Sequence, residues 1–100
     1  MNKKHIVLFD MDGTLTEPRC TFDKRLFPSL RELSLFSEIG IVTGSDHDYL
    51  FEQMKALIRY SELRYETHLL PCNGTKHYSP PKFPDDLYKL IHSVKMEEKL

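Results

Sequence analysis

Apolar residues recur along this chain in two alternating rhythms, and the alternation predicts the order of its elements. Ile6-Val7-Leu8, which is β-branched and too short for a core helix, Ile39-Gly40-Ile41-Val42 and the stretch from Thr67 to Pro71 are short apolar runs. They predict strands over His5 to Phe9, Ile39 to Thr43 and Thr67 to Pro71, the first of them buried within a parallel sheet. Between them, apolar residues return every three or four positions. Leu26, Leu30 and Leu33 predict a helix from Asp23 to Phe36, with Pro28 either kinking it or marking its true start. Leu50, Phe51, Met54, Leu57 and Ile58 predict a second helix from Asp46 to Tyr60. After an Asn73-Gly74 turn, Leu87, Leu90, Ile91 and Val94 suggest a final helix from Asp85 to Lys99. Strand and helix in alternation imply right-handed crossovers and an α/β fold.

The strand ends carry the chemistry. Phe9-Asp10-Met11-Asp12-Gly13-Thr14-Leu15-Thr16 places two carboxylates where parallel sheets bind their ligands, beyond the carboxyl end of a strand. Side chains two apart on an extended segment leave on one face, so Asp10 and Asp12 converge, and Gly13 lets the chain turn away. An EF-hand calcium loop would want different residues at its fifth, sixth and twelfth places, where Thr14, Leu15 and Thr21 stand. An Asp-x-Asp metal site of the glycosyltransferase type lacks any nearby sign of a nucleotide-sugar pocket. Thr43-Gly44-Ser45-Asp46 closes the second strand with hydroxyls and a glycine ahead of a helix. Ser45 or Asp46 would cap that helix, a role worth ~1 kcal/mol, and a helix N-terminus also attracts anions.

Asp10-x-Asp12-Gly13-Thr14-Leu15-Thr16 resembles the first motif of the haloacid dehalogenase (HAD) superfamily, mostly phosphatases and phosphomutases. The resemblance implies an α/β, Rossmann-like HAD core with a parallel sheet. It also implies that Asp10 is the nucleophile, forming an aspartyl phosphate, that Asp12 is the general acid/base, and that Gly13, Thr14 and Gly44 line the phosphate. Thr43 or Ser45 would hold a phosphoryl oxygen, the two hydroxyls remaining in competition. The chemistry is consistent with these roles. A carboxylate is already ionised at neutral pH and needs no base to activate it. Its approach to an anionic phosphoryl group calls for a divalent cation, and Mg²⁺, held by Asp10 and Asp12, is the hard, oxygen-seeking choice.

Leu8 to Arg19, with Thr43 to Asp46 and Leu70 to Tyr78, looks most like the start of eukaryotic-type phosphomannomutase, in which an arginine after the proline contacts substrate phosphate. That role would fall to Arg19, whose planar fork suits phosphate. Cys72 stands where that family has glutamate and Thr43 where it has glycine. The implied reaction is Mg²⁺-dependent phosphoryl transfer on a small phosphorylated sugar. The alternatives are a HAD sugar phosphatase, with water as acceptor, and a non-catalytic remnant.

The third and fourth motifs of the superfamily, a charge-neutralising lysine and further acidic metal ligands, have no convincing counterpart. Lys55 falls inside a helix and Lys76 in a turn, and Asp85-Asp86 follows a proline-rich segment and reads as a helix start rather than a metal pair. Residues 1–78 are therefore expected to form the N-terminal half of a HAD-like core. Residues 79–100 would be the first helix of a cap domain, truncated there, with self-association through uncovered apolar surface.

Charge and cysteine content narrow the setting. Fourteen basic and fifteen acidic residues in 100 leave a net charge of −1, so neither nucleic acid nor an acidic membrane surface is an expected partner. No apolar run approaches the ~20 residues of a membrane span, and a cytoplasmic setting is the default. Cys20 and Cys72 read as free thiols, and the five histidines, His5, His47, His68, His77 and His92, show no ligand spacing.

Overall fold

The computed structural model describes residues 5–11 and 24–93. Its elements run β1 (Ile6–Asp10), a 3₁₀ turn (Lys24–Leu26), α1 (Phe27–Ser34), β2 (Glu38–Val42), α2 (His47–Ile58), a second 3₁₀ turn (Glu62–Tyr65), β3 (Thr67–Leu70), β4 (Lys76–Ser79) and β5 (Lys89–Ser93). All five strands join one sheet in sequence order. β1, β2 and β3 pair in parallel, as their helical connections require, while β4 and β5 extend the sheet antiparallel. The sheet is thus mixed rather than wholly parallel.

Parallel register sorts the side chains into two faces. Val7, Ile39 and Thr67 form one row and Phe9, Ile41 and Leu69 the next on the same face. Against this face pack Leu30 of α1 and Leu50, Met54, Leu57 and Ile58 of α2, all buried, in one continuous core. Pro28 lies in the first turn of α1, so it starts that helix and does not kink it. Asp46 caps α2 by accepting the Tyr49 N–H at 2.9 Å. Ser61 joins α2 to the next turn, donating to Leu57 O at 2.6 Å and accepting from Leu63 N at 3.2 Å.

Two expectations fail. β1 is not a strand buried on both sides; among the described residues it is the edge strand, and Ile6 and Leu8 on the face opposite the helices are 43% and 56% exposed. The helix expected from Asp85 to Lys99 does not form over its described part. Residues 89–93 are strand, hydrogen-bonded to β4 with a register shift beside His77 and Tyr78. Asp85-Asp86 starts no helix: the Asp86 N–H donates to Phe83 O, and its carboxylate accepts from Lys82 N, closing a turn. Among the described residues no helix is long and apolar enough to cross a membrane.

Tyr88 fastens the β5 side to the helical side, its hydroxyl lying 2.8 Å from Thr67 O and 3.2 Å from Arg64 O. Burial pushes its phenol above the ordinary tyrosine range, and the Arg64 charge offsets this only in part. The folded state therefore holds the proton more tightly than the unfolded chain does. Stability from this group is complete below about pH 10 and declines above it by up to about 1.4 kcal/mol per pH unit. Tyr88→Phe should flatten the alkaline limb of a stability-versus-pH curve measured by urea denaturation; an unchanged limb would contradict this linkage.

Candidate functional site

The carboxyl ends of the three parallel strands meet along one edge. Asp10 closes β1 with its side chain exposed, and the following residue, Met11, is fully buried while its N–H donates to Val42 O at 2.9 Å. That bond and the Met11 anchor hold the strand end in place, so Asp10 is carried on a fixed backbone. Asp12, Gly13, Thr14 and Arg19 lie outside the described residues.

Beyond β2 the chain turns through Thr43, Gly44 and Ser45. Thr43 is 2% exposed; its N–H donates to Leu70 O, and its hydroxyl oxygen accepts the Ser45 N–H at 3.2 Å. Its hydroxyl therefore holds the turn together. Ser45 is only partly buried, and its hydroxyl makes no hydrogen bond among the described residues. The two hydroxyls thus differ in accessibility, that of Thr43 lying within the turn and that of Ser45 at its partly exposed side.

The turn after β3 braces the one after β2. Cys72 N–H donates to Ser45 O and Asn73 N–H to Thr43 O, both at 2.8 Å. A Cβ built on Gly44 would lie 3.0 Å from Asn73 Oδ1, so a side chain at 44 would press on Asn73. To make these bonds the chain passes through three successive left-handed residues, Cys72 (φ 54°), Asn73 (φ 58°) and Gly74 (φ 80°). Glycine takes this conformation freely and asparagine tolerates it, but cysteine carries a cost of roughly 1–2 kcal/mol. Cys72→Gly should accordingly raise the unfolding free energy by a few tenths to about 1 kcal/mol in urea; a loss instead would show that the thiol's packing outweighs the backbone strain. Cys72 is a free thiol.

A second cluster lies on the sheet face opposite the helices, and no spacing along the chain announces it. His68 of β3 and His77 of β4 bring Nδ1 and Nε2 to 2.8 Å, and His68 Nε2 reaches Glu38 Oε1 of β2 at 3.1 Å. The expectation of histidines without mutual spacing is corrected for this pair. Nine positions apart, they meet only because β3 and β4 form a hairpin, whose second strand the apolar pattern does not reveal. Among the described residues no group of three or more His, Cys, Asp or Glu side chains is placed to hold a metal ion.

No family model matches the chain. Its fold is that of the HAD core: it superposes on Plasmodium falciparum IMP-nucleotidase with a TM-score of 0.69 at 15% identity, covering 89% of this chain and 23% of that one. Aspergillus fumigatus trehalose-6-phosphate phosphatase aligns with a TM-score of 0.57 at 23% identity, over 89% of this chain and 32% of that one. In sequence the chain is similar to phosphomannomutases. It is 47% identical over 49 residues to the phosphomannomutase of Arabidopsis thaliana, 49% of this chain and 20% of that enzyme. Phosphomannomutase 1 of Mus musculus is 41% identical over 49 residues, 49% of this chain and 19% of its own length. The matched segment thus spans about a fifth of these relatives.

Proposed function

We propose that this chain carries the nucleophile-bearing part of a site for phosphoryl transfer on a phosphorylated sugar, of the phosphomannomutase kind. The observation that carries the reading is Asp10 at the carboxyl end of β1, in register with Val42, the residue before the Thr43-Gly44-Ser45 turn. The similarity to phosphomannomutases points the same way.

In this reading an Asp10 carboxylate oxygen attacks phosphorus, and the bond from phosphorus to the sugar oxygen breaks. Asp12 delivers a proton to that leaving oxygen and removes one from the incoming hydroxyl in the return step. Ser45, with the accessible hydroxyl, donates to a phosphoryl oxygen. Thr43 keeps the turn in shape, and the N-terminus of α2 adds its positive end. Gly13, Thr14 and Gly44 line the phosphate, and Arg19 grips the phosphate that is not being transferred, its fork suited to two oxygens at once. The exposed Asp10 carboxylate offers hard oxygen donors of the kind Mg²⁺ takes, so the donor chemistry fits. Asp10 and Asp12 would hold the ion, whose charge would offset that of the phosphoryl group.

Incubation with mannose 1-phosphate and Mg²⁺ tests the proposal. The expected result is hydroxylamine-labile phosphate on the protein, mapped to Asp10 by peptide mass analysis. Phosphate on another residue, or none under conditions in which a complete phosphomannomutase is labelled, would overturn it. Release of inorganic phosphate without any sugar bisphosphate would replace the mutase reading by that of a sugar phosphatase.

A further inference from the structure

Between α2 and residues 84–88, ahead of β5, lies a cleft of about 400 Å³. Phe51 and Ile58 of α2 line it on one side and Leu87 and Tyr88 on the other. The rings of Phe51 and Tyr88 meet edge to face with centroids 5.4 Å apart. The Tyr88 hydroxyl is taken up by Thr67 O and Arg64 O, which leaves the ring to line the cleft. Such a volume, walled by aromatic and aliphatic side chains with a few polar groups, is that of a small-molecule pocket. Its charge is one-sided: Arg59 and Arg64 belong to the lining and no acidic residue does. Arg64 donates to the Tyr65 hydroxyl at 3.3 Å, to Pro84 O at 3.2 Å and to Asp86 O at 2.8 Å, all uncharged acceptors, and its Nε is buried without a hydrogen-bond partner. These bonds fix the guanidinium without neutralising it. The Arg59 guanidinium rests 5.6 Å from the centroid of the Tyr60 ring and forms no ion pair among the described residues. The carbonyl end of α2 sets about half a negative charge against these two full positive ones.

We propose that this cleft binds a small molecule that joins a flat aromatic ring to one carboxylate or phosphate group. The ring lies against Phe51, Leu87 and Tyr88, where stacking and apolar burial hold it. The anionic group takes the planar fork of Arg59, whose parallel N–H donors match two oxygens at once. Arg64 adds its charge from a fixed position, so the anion supplies the counter-charge that this part of the chain lacks. Arg59 follows the last residue of α2 and Ser45 precedes the first. The length of that helix, ~18 Å for its 12 residues, therefore separates Arg59 from the Thr43 to Ser45 turn.

The cleft is independent of the phosphoryl-transfer reading, and its test uses two probes on the full chain at low ionic strength, 2-naphthoate and AMP. At least one of them should move the Nε–H signals of Arg59 and Arg64 saturably in ¹⁵N-edited spectra, with one equivalent bound. The tighter of the two identifies the anionic group as carboxylate or phosphate. 2-Naphthamide, the same ring without the charge, should bind at least ~10-fold more weakly than 2-naphthoate wherever the latter binds, as expected when a charge-assisted hydrogen bond is lost. Arg59→Gln, at an exposed position, should weaken binding of the tighter probe roughly 3- to 10-fold. Circular dichroism establishes that the variant is folded; should it not be, the wild-type arginine signals decide. Saturable binding of neither anion, binding that leaves both arginine signals unmoved, an amide bound as tightly as its acid, or unchanged affinity in folded Arg59→Gln would overturn the proposal.

Discussion

Asp10→Asn should lower covalent phosphorylation of the chain by at least ~1,000-fold, the order of loss seen when an enzyme's nucleophile is removed. The amide keeps the size and shape of the carboxylate but has neither its charge nor a comparable nucleophilic oxygen. Its effect on folding should be small. Asp10 is exposed, and its contribution to the fold is the backbone pairing of β1 with β2, which asparagine retains. The unfolding free energy should therefore stay within about 0.5 kcal/mol of wild type. Labelling with a small phosphoryl donor, with urea denaturation alongside, measures both quantities. Undiminished labelling in the folded variant would place the nucleophile elsewhere. Ser45→Ala offers a graded comparison: removal of one donor to a phosphoryl oxygen should cost about 100-fold or less beneath the loss at Asp10, without abolishing the label.

The parts of the fold legible in the sequence are those where one physical signal acts alone. The second helix is such a case: its apolar spacing marks the buried face, and Asp46 supplies the cap. The three parallel strands were equally plain as short apolar runs, β-branched in the first two. What the runs do not encode is neighbourhood. Ile6-Val7-Leu8 looks the same whether strands flank it on both sides or on one, so its place at the edge was not readable. The last segment misled for a different reason. Leu87, Leu90 and Ile91 recur at helical spacing, yet they are 76%, 49% and 58% exposed, so that spacing reflects no buried helix face. Backbone pairing with β4 decides the conformation there, and β4 is itself obscure, since Lys76, His77 and Ser79 are polar.

The same division runs through the candidate site. Asp10 and the Thr43 to Ser45 turn were legible because strand ends and turn residues lie close to each other in sequence. The different exposure of the two hydroxyls was not, because it depends on the fold of the turn, in which the Thr43 hydroxyl accepts the Ser45 N–H. Nor was the bracing by Cys72 and Asn73, whose backbone groups act across some thirty positions and whose side chains give no hint of it.

Leu57→Ala should cost about 2–5 kcal/mol, the usual range for emptying a buried leucine site. Leu57 is fully buried on α2, in a core built from one face of the sheet. A domain of this length has roughly 5–15 kcal/mol of stability in all, so one such cavity removes a large share of it. The site has little capacity to collapse, because Leu50, Met54 and Ile58 hold α2 against the sheet on either side of the gap. The expected result is a marked fall in the urea midpoint, with much of the chain unfolded at physiological temperature. Ile58→Val, which removes a single methylene from the same helix, should cost only about 0.5–1.5 kcal/mol. A Leu57→Ala loss no larger than that of Ile58→Val would mean that α2 shifts to fill the space, and that the one-sided core is held less firmly than its full burial implies.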